Sequence, residues 1–258
     1  MGSAAITELN GGKKCFNVYA SSVIEGVCPG RIFKVGPTAD LICWDGGCYV
    51  LKGLLNQLRP SDWDELGRLL FSEIHHKADQ LGLYLDLKRP SDIFEVCEHL
   101  KGRAKIDKCI TYWSLDNRPQ PKSERIVIRN IKSSDLMESS LCKSVMTKWG
   151  TAENFFSKGY GVLAEDESNG VLGYCFAGAI GAGCVELSIK VHNDYQNKGI
   201  GTKLGYEFLQ ISKDKDLNPT WTCMESNTSS VKLAERLGFC DKTVSYFLYW
   251  TDKTVVNK

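Results

Sequence analysis

No stretch of this sequence approaches the roughly 18 consecutive apolar residues that a membrane-spanning helix needs. The opening residues, MGSAAITELNGGKK, also lack the apolar core of a secretion signal. Excess charge is missing too: 32 basic and 31 acidic side chains leave a formal net charge of +1. Such a balance offers no electrostatic footprint for nucleic acid or a membrane surface. Only four histidines are present, His75, His76, His99 and His192, and none of the 11 cysteines forms a CxxC pair. Neither zinc-ligand spacing nor a disulfide framework is visible, so no metal is expected. Buried free thiols in a reducing compartment are the simplest reading, and the cytoplasm is the expected location.

What is present is the material of a globular protein. Hydrophobic residues make up 43% of 258, enough for one or two cores. The clearest break is DNRPQPKS, beginning at Asp116, whose two prolines and polar residues read as a linker. It divides the chain into parts 1–121 and 122–258. The first part reads as a small α/β domain. Strands are expected over 30–35, 39–44, 48–51, 81–87 and 106–115, with Asp45-Gly46-Gly47 as a hairpin turn. Helices are expected after Ser61 and Ser91, each serving as a cap.

In the second part, strands are expected over 125–131, 161–165, 171–177, 185–191, 220–224 and 243–250, and helices after Ser134 and over 152–157, 202–212 and 228–237. Over 185–191, Val185, Leu187, Ile189 and Val191 alternate with Glu186, Ser188 and Lys190, so one face is buried and the other polar. QNKGIG, Gln196 to Gly201, then lies between that strand and a helix. The first N–H groups of a helix lack internal partners and favour anions. Gly199 and Gly201 let a phosphate approach the backbone, and Lys198 adds positive charge. A dinucleotide fingerprint would need glycine at 204, where leucine stands, and GxxxxGK[ST] is absent.

VELSIKVHNDYQNKGIGTKLGYEFLQ resembles the fourth strand, pyrophosphate loop and following helix of the GNAT superfamily of N-acyltransferases. Gln196, Gly199 and Gly201 match the loop pattern. A second block, NTSSVKLAERLGF from Asn227 to Phe239, resembles the family's later helix. The resemblance covers about 124–250. PGRIFKVGPTADLICWDGGCYVLKG and LAERLGF are further similar to a bacterial type with an added N-terminal α/β domain, read either as a substrate-binding lobe or as a degenerate GNAT repeat.

The resemblance implies an α/β (α+β) fold: a mixed, mostly antiparallel sheet flanked by helices, with two strands splayed apart around a pantetheine arm. It implies acetyl-CoA as acyl donor and the amine of a small molecule as acceptor. The cofactor-binding residues carried over are Ile189, Lys190, Val191, Gln196, Asn197, Lys198, Gly199, Ile200, Gly201, Thr202, Asn227 and Ser230. Glu186 becomes the candidate general base, with a solvated or Lys190-paired sheet carboxylate as the alternative. Relatives often place a tyrosine where Ala234 stands; Ser230 is then the candidate to assist the departing sulfur. That departure opens a second reading, an acyl-CoA-binding module without turnover.

Overall fold

The computed structural model describes residues 17–74, 81–85, 96, 98–100, 105–116, 126–166 and 170–250. Its strands, numbered along the chain, are β1 (Gly30–Val35), β2 (Ala39–Trp44), β3 (Cys48–Gly53), β4 (Leu81–Leu85), β5 (Lys105–Leu115), β6 (Val127–Asn130), β7 (Gly161–Asp166), β8 (Gly170–Gly181), β9 (Cys184–Val191), β10 (Asn218–Met224) and β11 (Phe239–Trp250). The helices are α1 (Val18–Ile24), α2 (Pro60–Arg68, running on as a π-helical stretch to Ile74), α3 (Ser139–Trp149), α4 (Ala152–Lys158), α5 (Ile200–Asp214) and α6 (Thr228–Leu237).

All eleven strands join one sheet, in the order β1-β2-β3-β4-β11-β5-β10-β9-β8-β7-β6. Pairing is antiparallel except at β3–β4 and β9–β10. The mostly antiparallel sheet flanked by helices matches the fold expected from the sequence. The division at the proline-rich segment follows the chain but not the sheet. Strand β5 belongs to the first part, yet it lies between β10 and β11 of the second. Its register with β11 runs from Phe239↔Leu115 to Tyr249↔Lys105. Pairing across that distance in sequence leaves no trace in local pattern.

The core reflects the shared sheet. One cluster of buried side chains joins Val18, Ile42, Trp44, Val50 and Tyr112 to Trp149, Phe176, Leu204 and Phe208. A second, on the other face of the first part, gathers Leu41, Leu51, Trp63, Leu66 and Leu70 with Leu248 from β11. Helix α5 is amphipathic: Ile200, Leu204, Phe208 and Leu209 form one buried stripe. Gly205 brings α6 against α5, since a Cβ there would meet Leu237 at 2.5 Å.

Helix starts differ from expectation. Arg59, not Ser61, precedes α2; Pro60 takes the first position, and the Asp62 carboxylate accepts from the Arg59 N–H at 2.8 Å. After a 3-10 turn at Ser133–Met137, Glu138 caps α3, accepting from the Ser140 and Leu141 N–H groups. The Ser91 cap lies outside the described residues. The nine described cysteines are all free. Among the described residues no helix is long and apolar enough to cross a membrane.

Candidate active site

Strands β9 and β10 pair only at Asn218↔Cys184, Pro219↔Val185 and Thr220↔Glu186. Beyond that point they part, although β9 continues to Val191 and β10 to Met224. The Glu186 side chain accounts for the parting. Its Oε1 accepts from the Thr222 backbone N–H at 2.6 Å, a donor that a continued ladder would offer to a β9 carbonyl. On the other edge of β9, Gly178 is an extra residue in β8 at the same level, because Ala177 faces Leu187 while Ala179 faces Glu186.

Past the divergence lies a cavity of about 550 Å³, within the range of small-molecule sites. Of the residues expected to hold a cofactor, Ile189, Lys190, Val191, Gln196, Asn197, Gly199, Gly201, Thr202, Asn227 and Ser230 line it. Gly199 precedes α5 with φ 78°, and Asn197 has φ 60°. This left-handed pair turns the loop so that the first N–H groups of α5 face outward. A Cβ at Gly199 would meet nothing within 4 Å, so the space in front of the helix is open. Gln196 ties the loop to the end of β9, its Nε2 donating to Val191 O at 3.2 Å and Asn193 Oδ1 at 3.1 Å.

Two expected residues do not line the cavity. Lys198 donates to Asp194 O at 2.9 Å and lies over the Tyr195 ring. Ile200 is buried in the core, as its place on the apolar stripe of α5 requires. Besides Lys190, the cavity takes its positive charge from α6. Lys232 and Arg236, four residues apart and so on one face of α6, both line the cavity. That spacing was legible in NTSSVKLAERLGF once the helix was placed. Asn227 caps α6, its Oδ1 accepting from the Ser230 N–H at 3.2 Å. Ser230 Oγ accepts from Trp221 Nε1 at 2.9 Å. Ala234 is fully buried, packed in the core rather than facing the cavity.

Glu186 lies on the opposite face of the sheet from Trp221. Strand alternation puts Thr220, Thr222 and Met224 on one side of β10, and Trp221 and Cys223 on the other. The carboxylate is 1% exposed, so neither a solvated nor a Lys190-paired sheet residue describes it; Lys190 itself is exposed. Its Oε2 accepts from Thr220 Oγ1 at 2.7 Å and Thr222 Oγ1 at 3.0 Å. Burial pushes its pKa up from 4.5 to about 7. The threonine hydrogen bonds and the Lys148 ammonium pull it back, so the carboxylate is poised near neutrality rather than fully protonated.

The first part of the chain closes this face. Tyr19 of α1 stacks on Trp44 of β2 with ring centroids 4.5 Å apart. Lys148 of α3 lies 5.5 Å from the Trp44 ring centroid. Lys148 makes no ion pair among the described residues, and burial lowers its pKa. Neither Tyr19 nor Lys148 carries a signal in sequence, because only the sheet brings them to Glu186. The aromatic residues Trp44, Tyr49, Trp63 and Tyr112 are core, while Tyr84 and Trp113 are half-buried.

Comparison with known proteins agrees with this geometry. A family model described as GNAT acetyltransferase matches residues 97–249 and therefore takes in β5. A Bacillus subtilis (strain 168) protein named "Uncharacterized N-acetyltransferase YdfB" is 28% identical over 143 residues, covering 51% of this chain and 54% of that one. The chain thus spans about half the length of that curated relative. Among solved structures, a GCN5-related N-acetyltransferase-like protein from Streptococcus suis 89/1591 superposes with TM-score 0.66 at 16% identity, covering 95% of this chain and 97% of that one. A GCN5-related N-acetyltransferase from Kribbella flavida gives 0.62 at 14% identity, covering 91% and 96%. These likenesses concern the fold. With the family model spanning more than half the chain, over strands that diverge at a buried carboxylate, this protein belongs to the GNAT acetyltransferase family.

Proposed function

We propose that this protein transfers an acetyl group from acetyl-CoA directly to the amine of a small molecule. The observation that carries the reading is Glu186: a carboxylate poised near pH 7 at the divergence of β9 and β10, across the sheet from a cavity lined by three cations, Lys190, Lys232 and Arg236. The loop from Gln196 to Thr202 and the Lys232–Arg236 face of α6 suit the phosphates of coenzyme A. The parted ends of β9 and β10, with Asn227 and Ser230, suit its pantetheine arm.

Ionised Glu186 accepts the proton lost as the amine nitrogen attacks the thioester carbonyl. The new C–N bond forms as the C–S bond breaks. A thiol of pKa near 8.5 leaves without strict acid assistance. Ser230 Oγ, having accepted from Trp221, keeps its own proton to donate toward the sulfur. Free thiols throughout the described chain suit the reducing cytoplasm.

Ala234 supports the second reading, acyl-CoA binding without turnover, because its methyl group cannot protonate a leaving thiolate. Free thiol released from acetyl-CoA over a panel of primary amines separates the two. The transfer reading expects amine-dependent release that Glu186→Gln slows about 100-fold. Calorimetric binding of acetyl-CoA with no release on any amine would replace it with the second.

A further inference from the structure

We propose that the acceptor's proton reaches Glu186 through the hydroxyl of Thr222, and that Thr111, carried in by β5, orients that hydroxyl. The proposal rests on the acyl-transfer reading above. Glu186 is too buried for an amine to touch it directly. Each of its oxygens is already occupied, by the Thr222 N–H, the Thr220 hydroxyl and the Thr222 hydroxyl. Thr220 Oγ1 otherwise reaches only the buried Val185 carbonyl, at 3.2 Å, whereas Thr222 Oγ1 stands 3.2 Å from a second hydroxyl, Thr111 Oγ1.

Both threonines are half-buried and face the same side of the sheet. Beyond them, Thr243 lies opposite Thr111 on β11, is exposed, and accepts from Trp113 Nε1 at 2.7 Å. The Thr222 and Thr111 hydroxyls therefore lead outward from the buried carboxylate, toward the strand position where exposed Thr243 stands. A threonine hydroxyl has one proton to give and two lone pairs to accept with. Thr222 can thus hold a hydrogen bond to Glu186 and receive a proton from the outer side at once.

The step balances. As the C–N bond forms, the amine N–H bond breaks and its proton passes to Thr222 Oγ1. The proton already on Thr222 passes to Glu186 Oε2, restoring the hydroxyl and leaving a neutral carboxylic acid. After product release the acid returns its proton to water by the reverse path.

The other titratable groups facing Glu186 do not compete at neutral pH. Tyr19 of α1, Cys48 of β3 and Cys109 of β5 are all pushed up by burial and stay protonated, as does Cys223 on the opposite side of β10. Lys148 of α3 is pulled down by burial but supported by Glu186 itself.

The test uses the full chain, acetyl-CoA and whichever alkyl, aryl or amino-acid amine gives the fastest thiol release. Thr222→Val keeps the shape and removes the hydroxyl. It is expected to lower kcat/KM at pH 7 roughly 100-fold, the scale of a lost proton-transfer group, with acetyl-CoA affinity unchanged. Thr222→Ser restores the hydroxyl and should recover the rate to within about threefold. Thr111→Val should slow the reaction roughly fivefold while keeping the acid limb of the pH profile. In mixtures of H2O and D2O the wild type should show two protons in flight and Thr222→Val one. A Thr222→Val enzyme with the wild-type rate and isotope response overturns the relay alone, as does a serine variant no better than the valine one. If Thr222→Val fails to fold, the isotope response of the wild type and of Thr111→Val decides. A wild type that binds acetyl-CoA but releases no thiol overturns the transfer reading, and the relay with it.

Discussion

The two faces of the sheet at the β9–β10 divergence are built by different means. On the cavity face every element comes from one stretch of the chain, 189–236: the end of β9, a six-residue loop and the helix that follows it, Trp221 of β10 and one face of α6. On the Glu186 face the neighbours come from α1, β2, β3, β5, α3 and β10, spread from Tyr19 to Thr222. Anion binding needs backbone N–H groups and flexible cations, which a short segment supplies by itself. A carboxylate held near neutrality needs low dielectric and a few fixed donors, which only packing from distant segments supplies.

The sharpest way to break this contrast is to remove the first part altogether. A chain of 122–258 loses β5, leaving the facing edges of β10 and β11 unpaired. It should fail to give a cooperative thermal transition; a soluble fragment with wild-type acetyl-CoA affinity would show that the cavity face needs no support from the other. Gly199→Glu attacks the cavity face alone. It combines a left-handed φ, costing about 1–3 kcal/mol, with a carboxylate where a phosphate belongs. Acetyl-CoA affinity should drop more than about 100-fold by calorimetry, with the thermal midpoint lowered by only several degrees and the transition still cooperative.

Glu186→Gln attacks the other face. Transfer needs the ionised carboxylate, so wild-type kcat/KM should rise with pH and level off above about 7. The glutamine enzyme should lose that limb and about 100-fold in rate at pH 7.5, with acetyl-CoA binding intact. Stability carries the opposite slope. The folded state holds the Glu186 proton more tightly than the unfolded chain, so its contribution is complete below about pH 4.5 and lost as pH rises through about 7. The loss is on the order of 3 kcal/mol, visible as a denaturation midpoint that falls over this window in wild type and not in Glu186→Gln. Smallest is the effect of exposed charge: Lys232→Ala with Arg236→Ala should weaken acetyl-CoA binding roughly tenfold at low salt and less at high salt. A loss that does not depend on salt would mean that these side chains support α6 rather than phosphates.

Legibility followed the same divide. Gly199 and Gly201 mark a strand-to-helix turn by their place between two elements, while Gln196 and Asn227 stand out through the family resemblance, and the cavity includes all four. Charge in a loop does not reveal which way a flexible side chain turns, and Lys198 folds back onto Tyr195. Glu186 was visible as the acidic residue of an alternating strand, but its burial was not. Alternation marks two faces without telling which distant segment covers the second. Thr220 and Thr222 show their own period of two, which hinted at a polar face in β10, while Thr111 gave no hint at all.

By itself, then, the sequence determined the elements and the strand-loop-helix turn at Gln196 to Gly201, because these rest on hydrogen bonding and periodicity over a few residues, and its two motif blocks carried the resemblance to the family. Tertiary structure alone decided that β5 slots between β10 and β11. It alone also surrounds Glu186 with threonines, Tyr19 and Lys148. Strand pairing and desolvation are set by which segments meet in space, and no local pattern in either partner records that meeting.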